Sequence, residues 1–176
     1  MSHDLPKKYH FISSFDRILS HNFNDKIGII YRNHQLKKYN ANEILKIKKI
    51  LKIKKTKFFI TNNIKLAIKL DLDGVYISSF NKSFTHLSYS FKKEFNIIGS
   101  AHNLKQIRIK ELQNVQLIFI SSLFKKNKNY LGINKFKIIS KYTKKKIIAL
   151  GGIKKENLKS LKRTYAYGFA GISFFK

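Results

Sequence analysis

The sequence predicts a parallel barrel of eight βα units, the small (β/α)8 or TIM-barrel class of α/β fold, and two observations carry that prediction. Short apolar runs rich in Ile and Phe recur along the chain, most of them followed by a Lys-rich stretch with helical spacing; such alternation implies a parallel sheet covered by helices. The runs number eight, the count that closes a sheet on itself. An open doubly wound sheet is the alternative, but no Gly-x-Gly-x-x-Gly follows the first run to support it.

In chain order the expected strands cover residues 8–15 (KYHFISSF), 26–33 (KIGIIYRN), 57–63 (KFFITNN), 73–79 (DGVYISS), 95–101 (FNIIGSA), 115–122 (VQLIFISS), 146–152 (KIIALGG) and 168–175 (GFAGISFF). Their Ile, Val, Phe and Tyr content suits a pleated sheet. Helices are expected over 41–55, 64–70, 103–112, 134–143 and 156–165. In the first, Ile44, Leu45, Ile47, Ile50, Leu51 and Ile53 make a broad apolar stripe, and lysines cover the rest. Because the sequence stops directly after the eighth run, the barrel is expected to lack its final helix, with residues 1–176 forming one domain.

The 176 residues carry 37 Lys and Arg against 9 Asp and Glu, a formal charge of +28. That excess has two readings. It attracts nucleic acid and other polyanions. It also travels with excess Ile, Asn, Phe and Tyr, the joint bias of A+T-rich codons, and the lysines fall where solvated helix faces are expected, as in ILKIKKILKIKK. A nucleic-acid partner therefore stays open. There is no cysteine, which excludes disulfides, thiolate nucleophiles and sulfur-ligated zinc. No apolar run approaches the roughly 20 residues that span a bilayer, and MSHDLPKKYHF lacks the apolar core of a secretory signal. A cytoplasmic location without a membrane partner is expected.

In a barrel of this class the site lies at the C-terminal ends of the strands. That rule places Arg32, Asn33 and His34, Thr61, Asn62 and Asn63, Ser78, Ser79 and Asn81, Ser100 and His102, Ser121 and Ser122, Gly151 and Gly152, and Ser173 on one polar, mostly neutral rim. Gly151-Gly152 ends the seventh run, and the loops after strands 7 and 8 are the frequent phosphate site, where backbone N–H groups meet the anion. A tight strand-to-helix turn without a ligand is the competing reading. Arg32 has the fork geometry to clamp a phosphate, and His102 has the chemistry for proton transfer; a solvated arginine and a helix-start histidine are their plain counterparts. Of the acidic residues, Asp71 and Asp73 fall before the fourth strand and Asp25 before the second, while Glu43, Glu94, Glu111 and Glu156 belong to expected helices. Only Asp16 is expected near the rim, so the sequence supplies no well-formed carboxylate site for Mg2+.

Three segments together carry a family resemblance. FFITNNIKLAIKLDLDGVYIS, IIGSAHNLKQ and IIALGGIKKENLKSLKRTYAYGFAGIS follow one another as corresponding segments do in thiamine phosphate synthases and the related thiazole tautomerases, and the likeness runs from about Tyr9 to Phe175. For a synthase the resemblance implies two partners, an aminopyrimidine-methyl diphosphate and a thiazole phosphate, condensed to thiamine phosphate and diphosphate with Mg2+ assisting. It assigns Arg32 to the diphosphate, with His34 in the family's lysine position and Ile30 in its glutamine position. It assigns Gly151, Gly152 and the backbone near Ser173 to the thiazole phosphate. Thr61, Asn62 and Ser100 are the expected substrate-binding neighbours.

The sequence also departs from that family pattern. The metal-binding aspartate becomes Asn62 in Thr61-Asn62, and the later metal motif becomes Ser78-Ser79-Phe80-Asn81. Such an exchange keeps an oxygen but loses its charge, which lowers Mg2+ affinity. In SSLFKKNKN the family threonine falls at Lys126, and Lys126 or Lys128 is the candidate to replace the metal's charge. Ser121-Ser122 stands where the synthase has Gly-Pro and the tautomerase has Gly-His. Arg32, His102 and Lys126 are thus the expected catalytic set. The alternatives are a tautomerase-like or catalytically degenerate phosphate-binding barrel, and a basic polyanion-binding protein.

Overall fold

The computed structural model describes residues 5–19, 23–24, 26–33, 39–172 and 174–175, and in it eight parallel strands close into a barrel in chain order. They are β1 (Lys8–Ile12), β2 (Ile27–Tyr31), β3 (Phe58–Thr61), β4 (Gly74–Ile77), β5 (Asn96–Ala101), β6 (Leu117–Ile120), β7 (Lys146–Leu150) and β8 (Gly168–Gly171). The ring shuts where β1 pairs with β8, Lys8 against Phe169 and His10 against Gly171. Each strand lies inside the run expected for it. The rest of each run turns outward as a loop, where the rim residues sit.

The helices are α1 (Asp16–Leu19), α2 (Ala41–Ile53), α3 (Ile64–Lys69), α4 (Leu104–Leu112), α5 (Gly132–Ser140) and α6 (Leu158–Lys162). Asparagines start three of them: the Oδ1 atoms of Asn40, Asn63 and Asn103 accept N–H groups of the first turns of α2, α3 and α4. An asparagine cap contributes about 1 kcal/mol over alanine, and this role takes Asn63 away from the rim. Only Ile44, Ile47 and Leu51 of the α2 stripe are fully buried, whereas Ile53 is 84% exposed and Leu45 also faces solvent. The stripe is narrower than its sequence suggests because the barrel presents a convex face.

Other departures are local. The helix expected over 156–165 is split into a 3₁₀ turn (Lys155–Asn157) and α6. It ends early because the Thr164 N–H and hydroxyl both return to the Leu161 carbonyl. Glu94 sits in a turn before β5, outside any helix. α1 and a 3₁₀ turn at Thr85–Ser88 fill the connections for which no helix was expected. Among the described residues no helix follows β8. There Phe174 packs edge-on against Phe169 at 4.6 Å, and Phe175 against His10 at 4.9 Å.

The core has two shells. One lies between barrel and helices, and the other fills the barrel with Tyr9, Phe11, Ile30, Phe59, Tyr76, Ile98, Leu117, Phe119, Ile148 and Ala170. Large rings stand where such barrels usually carry branched aliphatic residues. They meet edge to face, Tyr9 on Phe119 at 4.9 Å, Phe11 on Tyr76 at 5.3 Å and Tyr76 on Phe119 at 5.3 Å, the arrangement their quadrupoles favour. Phe11 and Tyr76 thereby form a solid floor beneath the C-terminal mouth.

Candidate functional site

Side chains alternate along a strand, so the residues two places beyond the interior set face the mouth. These are Ser13, Arg32, Thr61, Ser78, Ser100, Ser121, Leu150 and Ile172. A cavity of about 580 Å³ opens on one side of that mouth, between β1–β2 and β6–β8, and its lining includes Phe11, Arg32, Ser121, Ser122, Lys125 and Gly151. A second hollow, of about 360 Å³, lies at the opposite end and is lined by Lys48, Lys52, Lys57, Asp71 and Asp73 among others. There Asp73 accepts the Phe58 N–H and Asp71 pairs with Lys48 and Lys92. That end of the barrel serves stability.

Arg32 follows β2, half-buried, with its N–H on the Ile12 carbonyl at 2.8 Å and its guanidinium 6.0 Å from the centre of the Phe11 ring. Tyr76 beneath it is fully buried. Desolvation pushes that phenol's pKa up, while a hydrogen bond with the Ser100 side chain and the positive charge of Arg32 pull the other way. The charge of Arg32 and the Ser100 side chain thus act on the same buried phenol.

Gly151 and Gly152 have φ of +100° and +75°, a conformation that costs little only for glycine. A Cβ on Gly151 would stand 2.4 Å from Ser122 Oγ, and one on Gly152 would stand 2.6 Å from the Lys125 nitrogen. The β6–α5 loop is thus what approaches the glycine pair. The Phe124 and Lys125 N–H groups both donate to the Gly151 carbonyl, at 2.8 and 3.2 Å, and Asn157 Nδ2 donates to the Gly152 carbonyl at 2.7 Å. This packing brings Lys125 and Asn127 to the cavity. Lys126, the expected catalytic lysine, is exposed and is not part of the lining. Lys125 reaches the cavity lining because the loop folds over the Gly-Gly turn.

On the other side of the mouth the polar residues bind each other. Asn62 Oδ1 accepts the Ser78 N–H at 2.8 Å and Asn81 Nδ2 at 3.3 Å, while Asn62 Nδ2 donates to Ser78 Oγ at 3.1 Å. Thr61 donates its hydroxyl to the Tyr31 carbonyl at 3.1 Å, and its own backbone is gripped at both polar atoms by the Tyr39 hydroxyl. His102 Nδ1 lies 2.9 Å from the Ser121 carbonyl and 3.0 Å from Ser121 Oγ. A carbonyl only accepts, so this contact assigns the proton to Nδ1. His102 thereby touches the cavity wall through Ser121. Asp16 is exposed at the start of α1. His34 and Ser173 lie outside the described residues.

Among the described residues no group of three or more His, Asp or Glu side chains is placed to hold a metal ion. The donors at the expected metal positions are neutral amides and a hydroxyl, already hydrogen-bonded to one another. Mg2+ takes octahedral oxygen ligands, usually including a carboxylate, and this donor set does not fit it.

Comparison with known proteins agrees with the geometry. The family model described as thiamine monophosphate synthase matches residues 15–175. The thiamine-phosphate synthase of Pelagibacter ubique is 28% identical over 172 residues, covering 88% of this chain and 82% of that protein. The thiamine-phosphate synthase of Methanococcus vannielii is 25% identical over 147 residues, covering 79% and 71%. Among solved structures, the thiamine phosphate pyrophosphorylase of Pyrococcus furiosus superposes with a TM-score of 0.73 at 20% identity over 95% of this chain and 85% of that one. FabK of Thermotoga maritima superposes as well, with a TM-score of 0.74 at 10% identity over 97% and 58%, so these superpositions speak for the barrel alone. What separates the two is the sequence match across nearly the whole barrel, and on that ground the chain belongs to the thiamine monophosphate synthase family.

Proposed function

We propose that the chain is a divergent thiamine phosphate synthase with its barrel acting as one domain, and that cationic side chains do the electrostatic work at its mouth. The observation that carries this reading is the cavity beside Gly151, which is walled by Arg32 and Lys125 and floored by Phe11. In the proposed reaction the C–O bond of the aminopyrimidine-methyl diphosphate breaks, and its electron pair leaves with the diphosphate. The thiazole nitrogen then donates its lone pair to the resulting cation-like carbon, forming the C–N bond of thiamine phosphate. No proton is gained or lost in that exchange. Arg32 and Lys125 stabilise the charge that accumulates on the departing diphosphate.

The carbonyls of Gly151 and Gly152 are taken by the loop and by Asn157, which leaves the turn's N–H groups for the thiazole phosphate. The Phe11 ring at the floor limits how deep a ligand sits, and holding both substrates in one small cavity supplies proximity. Mg2+ does not fit the amide corner, and no step is assigned to it.

A tautomerase-like role is the second reading, favoured by His102. Its imidazole is anchored through Nδ1 to Ser121, which leaves Nε2 as the proton-accepting atom. Isothermal titration with thiazole phosphate separates these readings from general polyanion binding. Saturable binding that is lost in Gly151→Asp and unaffected by competing nucleic acid is expected. Binding only to nucleic acid, with steep salt dependence, would replace the proposal with the polyanion reading.

A further inference from the structure

The amide corner has an anchor behind it that belongs to no site described so far. Lys110 of α4 is fully buried, and among the described residues no carboxylate meets its ammonium. Its stem crosses Gly99 of β5, where a Cβ would stand 2.9 Å from Lys110 Cδ. Its Nζ donates to the Asn81 carbonyl at 2.8 Å and to Gln113 Oε1 at 2.7 Å. Gln113 Nε2 in turn donates to the Asn81 carbonyl at 3.1 Å and to the Ser83 carbonyl at 2.8 Å, while the Gln113 carbonyl meets His86 Nε2 at 2.9 Å. A buried lysine is disfavoured unless its surroundings use it. Here Lys110 and Gln113 both hold the Asn81 carbonyl, and the Asn81 side chain closes onto Asn62.

We propose that Lys110 is a positioning residue that holds the Asn62–Ser78–Asn81 corner in its closed, self-bonded state, so that the mouth takes its phosphorylated ligand without a divalent cation at that corner. The consequence for the ligand rests on the phosphate reading of the mouth given above; the lock itself does not. A fixed ammonium one residue layer behind the rim holds the loop after β4 where a bound ion would otherwise organise it. The corner's oxygens are then occupied by N–H donors and unavailable to a metal.

The lock is read in the full chain by amide exchange at Ser78, Asn81 and Ser83. Their N–H groups donate to Asn62 Oδ1, the Ser78 carbonyl and Asn81 Oδ1. In Lys110→Met these three amides should exchange at least about tenfold faster while amides of β5 and β6 keep their protection. Gln113→Met, which removes the side-chain tethers to the Asn81 and Ser83 carbonyls, should act on the same three. Uniform acceleration across the barrel, or no change at the corner, would overturn the positioning role. Mn2+ alone, followed by its electron paramagnetic resonance signal, should find no saturable site in the unaltered chain below millimolar concentration; a saturable site lost in Asn62→Ala would overturn the closed corner. Binding of inorganic pyrophosphate should agree within about twofold between EDTA and excess Mg2+ once the affinity of free pyrophosphate for Mg2+ is allowed for. Stronger dependence would overturn the cation-free mouth. Absence of any pyrophosphate or thiazole phosphate binding would count against the proposed function, and the exchange and Mn2+ results would still decide the role of Lys110.

Discussion

The two sides of the mouth treat their polar groups in opposite ways. Beside the cavity, Arg32, Lys125 and the Gly151 turn present charge and backbone to open space. Across from it, Asn62, Ser78 and Asn81 spend their hydrogen-bonding capacity on one another, with Lys110 sealed behind them. One barrel rim thus keeps charge open on one side and ties its polar groups to one another on the other. Side chains from different strands and the loops after them supply the two sides.

The largest expected effect falls on the cavity side. Gly151→Asp places a carboxylate where φ is +100° and where Ser122 Oγ already fills the space. It should weaken thiazole phosphate binding by at least about a hundredfold, roughly 3 kcal/mol, measured by calorimetry on protein shown to be folded by circular dichroism. Unaltered binding would mean that the glycine turn serves only the loop.

The next effect probes the other side through pH. Burial lowers the Lys110 pKa from 10.5 to about 8. Between those values the unfolded chain binds more protons than the folded one, so unfolding free energy rises with pH across that window and this contribution is flat below it. The gain should approach about 3 kcal/mol. The readout is the difference between the unaltered chain and Lys110→Met in urea titrations, because self-repulsion of the highly charged chain changes alike in both. Parallel curves would show that the lysine is not held in a desolvated state.

Smaller effects sharpen the charge assignment. Arg32→Ala should weaken binding of a phosphorylated ligand by about 10- to 100-fold, the range for losing a charge-assisted contact. Lys125→Ala should cost only about fivefold, since an exposed cation is screened, and the loss should shrink at high salt. Lys126→Ala should change less than Lys125→Ala. The reverse order in the same binding assay would return the role to Lys126.

Much of this was legible in the sequence, and for physical reasons. Strands buried on both sides leave continuous Ile and Phe runs, so all eight were placed, and strand ends gave the rim. Glycine at 151 and 152 signalled a backbone need that the φ values bear out, although the close neighbour is the β6–α5 loop. Three features were hidden. That Lys125 and not Lys126 lines the cavity depends on a loop that folds over a turn from another strand. The four-residue α1 is too short to show a period. Lys110 looks like any lysine on a Lys-rich helix, and its burial depends on Gly99 and on the distant loop that carries Asn81.

The decisive experiment is a condensation assay with the aminopyrimidine-methyl diphosphate and thiazole phosphate, following thiamine phosphate in EDTA and in excess Mg2+. Product is expected in both, with rates that differ little and fall sharply in Arg32→Ala. Product that forms only with Mg2+ would contradict the division of the mouth into a cationic side and a closed corner, and no product in either condition would contradict the proposed synthase activity.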